Sequence, residues 1–158
     1  MISFQTNVNK QLTPKIYSKA GYILKSISGT GTAQGYGRLT VFIESSGLVR
    51  IEFGARVTSS GTIGNVYDFG ISLSDILSID TNMPSFKPNT IGICNIYYDG
   101  SSLGTTHNGY CGAIATRGQG DGWSIGRFYN TSGTFGAWAD STFQEGMYIT
   151  GNVYGIVQ

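Results

Sequence analysis

The fold is decided by a stretch near the end of the chain, Gly146-Met147-Tyr148-Ile149-Thr150-Gly151-Asn152-Val153-Tyr154-Gly155-Ile156-Val157. Because a β-strand sends alternate side chains to opposite sides, this segment predicts a strand that is apolar on both faces. One face carries Met147, Ile149, Val153 and Val157, and the other carries Tyr148, Tyr154 and Ile156. Both faces need cover. We therefore expect one to pack inside a β-sandwich and the other to lie at or near a subunit interface.

Strand patterns, separated by glycine-rich and serine-rich turns, recur through the rest of the chain. The candidate strands are 15–28, 36–45, 48–58, 66–73, 91–98, 111–117, 123–129, 134–138 and 146–157. Only Ser74–Ser78 has a helical pattern, with Ser74 as the candidate N-cap. This order predicts an all-β fold, an antiparallel jelly-roll-like β-sandwich over residues 15–158. Residues 1–14 are polar, end in Thr13-Pro14 and are interpreted as a linker or an entering arm.

The hairpin between Arg38 and Val57 allows its register to be predicted. A two-residue turn would mix core and solvent positions, whereas a three-residue turn, Ser45-Ser46-Gly47, pairs Val41 with Ile51. The same register pairs Leu39 with Phe53 and, on the outer face, Thr40 with Glu52 and Phe42 with Arg50. We predict the three-residue turn with Gly47 in the left-handed conformation.

Composition narrows the class of protein. The 158 residues suit one domain, and charged residues make up 12% of them, against about 25% in an average domain. The ten Lys and Arg residues are scattered, so no basic patch indicates a nucleic-acid partner. No apolar run predicts membrane insertion, and no signal-peptide pattern opens the chain. We expect Cys94 and Cys111 to be free thiols in a protein made in a reducing cytoplasm, and their spacing indicates no metal site.

Catalytic patterns are weak. The segments Gly29–Gly35 and Gly118–Gly122 lack the strand-to-helix context of a phosphate-binding loop, and we interpret both as ordinary turns. The single His107 has no acid within several residues along the chain, although Asp99 or Asp121 could approach it in the fold. A pair of carboxylates at glycosidase spacing stays open as an alternative. We predict a non-enzymatic protein without cofactor or metal.

Saccharide binding is the better interpretation of the loops. Sugars stack their apolar faces on aromatic rings and exchange hydrogen bonds with polar side chains, so their sites need both kinds of residue together. Burial in the core is the alternative role for each tryptophan. The candidate ligand-binding residues are Tyr98, Asp99, His107, Asn108, Asp121, Trp123, Tyr129, Trp138 and Asp140.

Five short segments resemble a known family. These are Gly47–Ile51, Phe86-Lys87-Pro88, Tyr98-Asp99-Gly100, Phe128–Gly133 and Gly146–Tyr154. In this order they are similar to the C-terminal head domains of tailed-phage baseplate and tail-fibre proteins, over roughly residues 36–158. The resemblance implies a jelly-roll-like homotrimer in the virion, assembled in the bacterial host cytoplasm. It also implies that the domain adheres to host cell-wall saccharide or contacts other tail proteins.

Two alternatives to a receptor-binding head stay open at this point. The chain could be a carbohydrate-binding module of a larger secreted enzyme, or a purely structural virion protein. The mass in solution separates the head from the module, because the resemblance implies a trimer. Glycan binding separates an adhesive role from a purely structural one.

Overall fold

The protein is built from antiparallel strands and, in the described part of the chain, one short helix. The structure, a computed structural model, describes residues 12–27, 30–59, 61–62, 69–88, 91–97, 110–116, 122–129, 135–137 and 145–158. The strands are β1 (Lys15–Ser26), β2 (Gln34–Ile43), β3 (Leu48–Ser59), β4 (Phe69–Ser72), β5 (Phe86–Pro88), β6 (Ile91–Tyr97), β7 (Tyr110–Thr116), β8 (Gly122–Tyr129), β9 (Phe135–Ala137) and β10 (Tyr148–Val157). The helix α1 spans Leu73–Leu77.

The strands join into one nearly closed sheet. Their order is β3-β2-β1-β4-β8-β7-β6-β10, and β10 pairs again with β3. Strand β5 is added along β10, and β9 is added along β8. Every pairing is antiparallel. The all-β prediction is confirmed, and the architecture is that of a barrel or sandwich.

The predicted hairpin is confirmed residue by residue. Val41 pairs with Ile51 and Thr40 with Glu52, as the three-residue turn requires. The turn is closed by backbone hydrogen bonds from Gly47 N to Glu44 O and from Glu44 N to Leu48 O, each 2.9 Å long. Gly47 has φ 86°, the left-handed region in which glycine carries no steric penalty.

The core fills the inside of this sheet. Ile51 of β3 is fully buried between Val41 of β2 and Val153 of β10, which pair with it on either side. Trp123 of β8, a strand four places away from β3 in the sheet order, is also fully buried. Its ring centroid lies 6.3 Å from that of Phe86. Apolar burial of this kind stabilises by about 25 cal/mol per Å² removed from water.

The closing strand β10 has one buried face and one exposed face. Met147, Ile149 and Val153 are buried, as their shared face predicts. On the other face, Tyr148 and Ile156 are among the exposed large apolar side chains. The prediction that one face packs inside is confirmed. A subunit contact on the second face stays a prediction.

Helix α1 corrects one prediction. Its N-cap is Ser72, not Ser74, because the Ser72 side chain accepts the hydrogen bond from the Asp75 amide at 3.4 Å. Ser74 instead forms a 2.7 Å hydrogen bond between its hydroxyl and that of Ser72. The Asp75 carboxylate also holds Lys25 of β1 in a 2.6 Å ion pair, which ties the helix to the sheet.

Two smaller predictions concern the thiols and the first glycine-rich segment. Cys94 is buried and forms no disulfide, while the side chain of Cys111 lies outside the described residues. In the segment Gly29–Gly35, residues 30–33 are irregular and strand β2 follows them, as an ordinary turn predicts. Most of the predicted arm, residues 1–11, lies outside the described residues. The same holds for the second glycine-rich segment, Gly118–Gly122, except for its last residue.

Candidate functional site

The loop residues predicted to bind saccharide fall mostly outside the described part of the chain. This holds for Tyr98, Asp99, His107, Asn108, Asp121, Trp138 and Asp140. Tyr129 is placed by its backbone at the end of β8, where it pairs with Cys111 of β7 and Phe135 of β9. The loop site therefore stays a prediction for these residues.

Trp123 is the exception, and it corrects the prediction. The side chain is 0% exposed and packs beside Phe86 in the core. A sugar needs a free ring face on which to stack, and a fully buried indole offers none. Trp123 therefore has the alternative role, that of a core residue, and it leaves the candidate set.

The described residues instead bring aromatic side chains together on the outer face of β1, β2, β3 and β10. Because side chains alternate along a strand, the even-numbered positions of these strands lie outside. In β1 this holds up to Tyr22 and in β2 from Gly35 onward, because the register shifts beyond those residues. Among the side chains that the structure describes, six large apolar ones are exposed, and all of them belong to this face or to its continuation in β6. They are Ile16, Tyr22, Tyr36, Ile93, Tyr148 and Ile156.

At one end of this face lies a cross-strand row that we call the tyrosine–arginine row: Tyr22, Tyr36, Arg56 and Tyr148. The register pairs Tyr22 with Tyr36, Tyr36 with Arg56, and Arg56 with Tyr148. The three tyrosines are 54%, 51% and 49% exposed in chain order. The rings of Tyr22 and Tyr36 meet edge to face, with centroids 5.4 Å apart and planes at 85°. Aromatic pairs prefer this edge-to-face arrangement.

The neighbouring cross-strand row has small side chains and one arginine. It consists of Ala20, Arg38, Gly54 and Thr150, paired in that order. A Cβ on Gly54 would lie 3.4 Å from the Thr150 methyl carbon, in contact with it. The tyrosine–arginine row therefore stands beside a row of small side chains to which β3 contributes none.

Two arginines on this part of the face are available to a ligand. Arg38 and Arg56 are exposed and lie diagonally across β2 and β3. Within the described residues the ion pairs are Lys25 with Asp75 and Arg50 with Glu52, so neither Arg38 nor Arg56 takes part in one. Each guanidinium carries five N–H donors, which suit hydroxyl, ether and carboxylate oxygens.

The opposite end of the face is more apolar, and we call it the apolar end: Ile16, Phe42, Tyr154 and Ile156. Phe42 is half-buried beneath the Arg50 guanidinium, whose central carbon lies 4.2 Å from the ring centroid. Beside Ile156 an open groove of about 500 Å³ is lined by Lys87, Pro88, Ile156, Val157 and Gln158. The outer face thus has two ends of different chemistry.

Other kinds of site find little support in the described residues. No three His, Cys, Asp or Glu side chains among them are grouped closely enough to hold a metal ion. No helix in the described ranges is long and apolar enough to cross a membrane.

Comparison with models of protein families, with curated proteins and with solved structures found no match. The resemblance to phage head domains consequently rests on the sequence segments alone.

Sequence reasoning missed the tyrosine–arginine row because its members come from four strands. Alternation predicted that Tyr148 faces away from Ile149, and the hairpin register predicted where Arg56 points. Neither pattern shows that β1 lies beside β2 or that β10 lies beside β3. The available signal was the placement of Tyr22, Tyr36 and Tyr148 on the non-core side of their strands.

Proposed function

We propose that this chain is a non-enzymatic adhesion module that binds saccharide on the outer face of its sheet, at the tyrosine–arginine row. The observation that carries the proposal is the set of half-exposed rings of Tyr22, Tyr36 and Tyr148 in register with exposed Arg56. Rings supply stacking surface and the guanidinium supplies directed donors, the two kinds of group that sugar recognition needs. The small residues of the neighbouring row, Ala20, Gly54 and Thr150, do not cover these groups.

The surroundings of the row favour a sugar over a protein partner. The neighbouring positions are small, among them Ala20, Gly54 and Thr150. The centres of protein–protein interfaces are closely packed and apolar, whereas small-molecule sites place a few polar groups among aromatic side chains. The loop residues around His107 and Asp121 remain candidates for additional sugar contacts.

The wider proposal is that the domain is the jelly-roll-like head of a tailed-phage tail or baseplate protein and works as a homotrimer in the virion. The segment resemblance supports the family. The apolar end supports self-association, because Ile16 and Ile156 are 69% and 57% exposed in the single chain. Three sites on one rigid head would raise avidity for host cell-wall saccharide without a strong single site.

Replacing Tyr36 with alanine tests the saccharide site. On an array of bacterial cell-wall glycans, we expect the wild type to bind and Tyr36→Ala to lose about tenfold in affinity, because one stacking surface is removed. Tyr36→Phe keeps the ring and should stay within about threefold. Ile93→Ala removes a large exposed side chain from the continuation of the same face in β6, outside both the row and the apolar end, and serves as the control.

Three results would count against the proposal. Absence of glycan binding by the wild type favours the purely structural virion role. Equal losses in Tyr36→Ala and Ile93→Ala would place the site elsewhere on the molecule. Released sugar in the bound samples would show an enzyme.

Placing a charge at the apolar end tests self-association. We expect a trimer mass for the wild type in sedimentation equilibrium and a monomer mass for Ile156→Asp, because a carboxylate cannot be buried unpaired in an apolar contact. Thr150→Asp introduces the same group on the same strand and face, outside the apolar end, and should remain a trimer. A monomeric wild type would contradict the trimer and would favour a carbohydrate-binding module.

A further inference from the structure

We infer that the ligand is an extended saccharide chain lying across the strands, with one subsite at Tyr22 and Tyr36 and a second at Tyr148. This inference rests on the proposed function and goes beyond it, because a single terminal sugar would also satisfy the proposal above. The argument comes from the spacing of the rings and from what lies between them.

The two aromatic subsites are too far apart for one sugar ring. Neighbouring strands in a sheet are about 4.8 Å apart, so Tyr36 on β2 and Tyr148 on β10 are separated by about 10 Å across β3. Tyr22 on β1 extends the row to about 14 Å. A ligand that contacts both ends must therefore be a chain of linked rings whose length follows the row.

The middle of the row is built for hydrogen bonding. Arg56 occupies the position between Tyr36 and Tyr148, and Arg38 lies diagonally beside it. Gly54 separates these arginines from Thr150 without a side chain of its own. A central sugar unit would lie over guanidinium donors and open backbone, with its oxygens as acceptors, while its neighbours stack at the two ends.

The ends differ in a way that makes the chain model testable. At the first subsite, two rings meet edge to face, so one ring offers its face while its neighbour offers its edge. At the second subsite Tyr148 is the described aromatic side chain of the row. The first end should hold a short fragment alone, and the second should add affinity only for a fragment long enough to reach it.

The experiment is isothermal titration of the full chain with chito-, cello- and galacturonan oligosaccharides of one to six units. For the series that binds, we expect affinity to rise about tenfold between the disaccharide and the tetrasaccharide and then to level off. Tyr148→Ala should abolish this gain, so that the tetrasaccharide binds no more tightly than the disaccharide, whereas Tyr36→Ala should weaken every length. Tyr148→Phe keeps the ring and should keep the gain.

The outcomes separate this inference from the function on which it rests. Equal affinity for disaccharide and tetrasaccharide, with binding still sensitive to Tyr36→Ala, overturns the extended chain and keeps the saccharide site. A rise that continues to six units also overturns the two-subsite model. Binding by none of the three series overturns both. We expect the melting temperatures of the variants to equal that of the wild type, because the mutated positions are exposed. An unchanged melting temperature shows that a loss of affinity arises from lost contacts and not from unfolding.

Discussion

Replacing Ile51 with alanine is expected to lower the free energy of unfolding by about 2–5 kcal/mol, the range for large-to-small changes in packed cores. The side chain is 0% exposed and lies between Val41 of β2 and Val153 of β10. Truncation removes its contacts with both neighbours and leaves a cavity that three paired backbones cannot close. Because domains of this size are stable by only about 5–15 kcal/mol, the change should be obvious in a urea titration.

The matched control for Ile51→Ala is Ile93→Ala. Both changes remove the same atoms from a strand, but Ile93 on β6 is exposed and lies outside the apolar end. Surface substitutions of this kind usually change stability by less than about 0.5 kcal/mol. Equal losses in the two variants would mean that β3 does not occupy the centre of the core.

Replacing Gly37 with alanine is the second change for which we expect a large loss, about 1–3 kcal/mol in the free energy of unfolding. A Cβ at this position would collide with the carbonyl oxygen of Gly54 and lie 2.5 Å from Ala55 Cα. Both obstacles are backbone atoms of the neighbouring strand, so relief requires β2 and β3 to move apart. Thermal unfolding followed by circular dichroism would measure the loss.

Gly54→Ala is the control for Gly37→Ala because it makes the same change on the neighbouring strand. There the added Cβ meets the Thr150 methyl carbon at 3.4 Å, and the backbone does not have a positive φ. Alanine also restricts the unfolded chain more than glycine does, which stabilises by about 0.4–1 kcal/mol at a compatible site. Gly37→Ala should therefore destabilise and Gly54→Ala should be neutral or stabilising, a difference of about 1–4 kcal/mol in the free energy of unfolding. A neutral Gly37→Ala would contradict the close strand approach.

The strands could be predicted well because their signal is local. Alternation within β2, β3 and β10 determined which side chains face the core, and the turn at Ser45-Ser46-Gly47 determined the register of β2 against β3. Strand β5 was missed because three residues ending in a proline show no alternation. The N-cap of α1 was predicted two residues late, because positions 72 and 74 are both serine and only the backbone geometry distinguishes them.

The candidate site was not predictable in the same way. The sequence analysis chose aromatic residues in predicted loops, since loops carry most binding sites. It included Trp123 because the residues before Trp123 are polar and glycine-rich. In the fold, β8 lies between β4 and β7, and the Trp123 ring is buried in the core. The tyrosine–arginine row depends on which strands become neighbours, and that order follows from packing of the whole sheet.

The position of β10 between β3 and β6 has a consequence for how the protein reaches its native state. Closure joins residues that are far apart in the chain, such as Glu52 and Asn152, and non-local pairing of this kind makes folding slow. During synthesis β3 is complete long before β10 emerges. Until then, the amides and carbonyls on the edge of β3 that faces away from β2 have no strand partner. Such a strand edge is a template for aggregation. Refolding yield should thus fall with protein concentration, and an excess of β10 peptide would compete for the same edge.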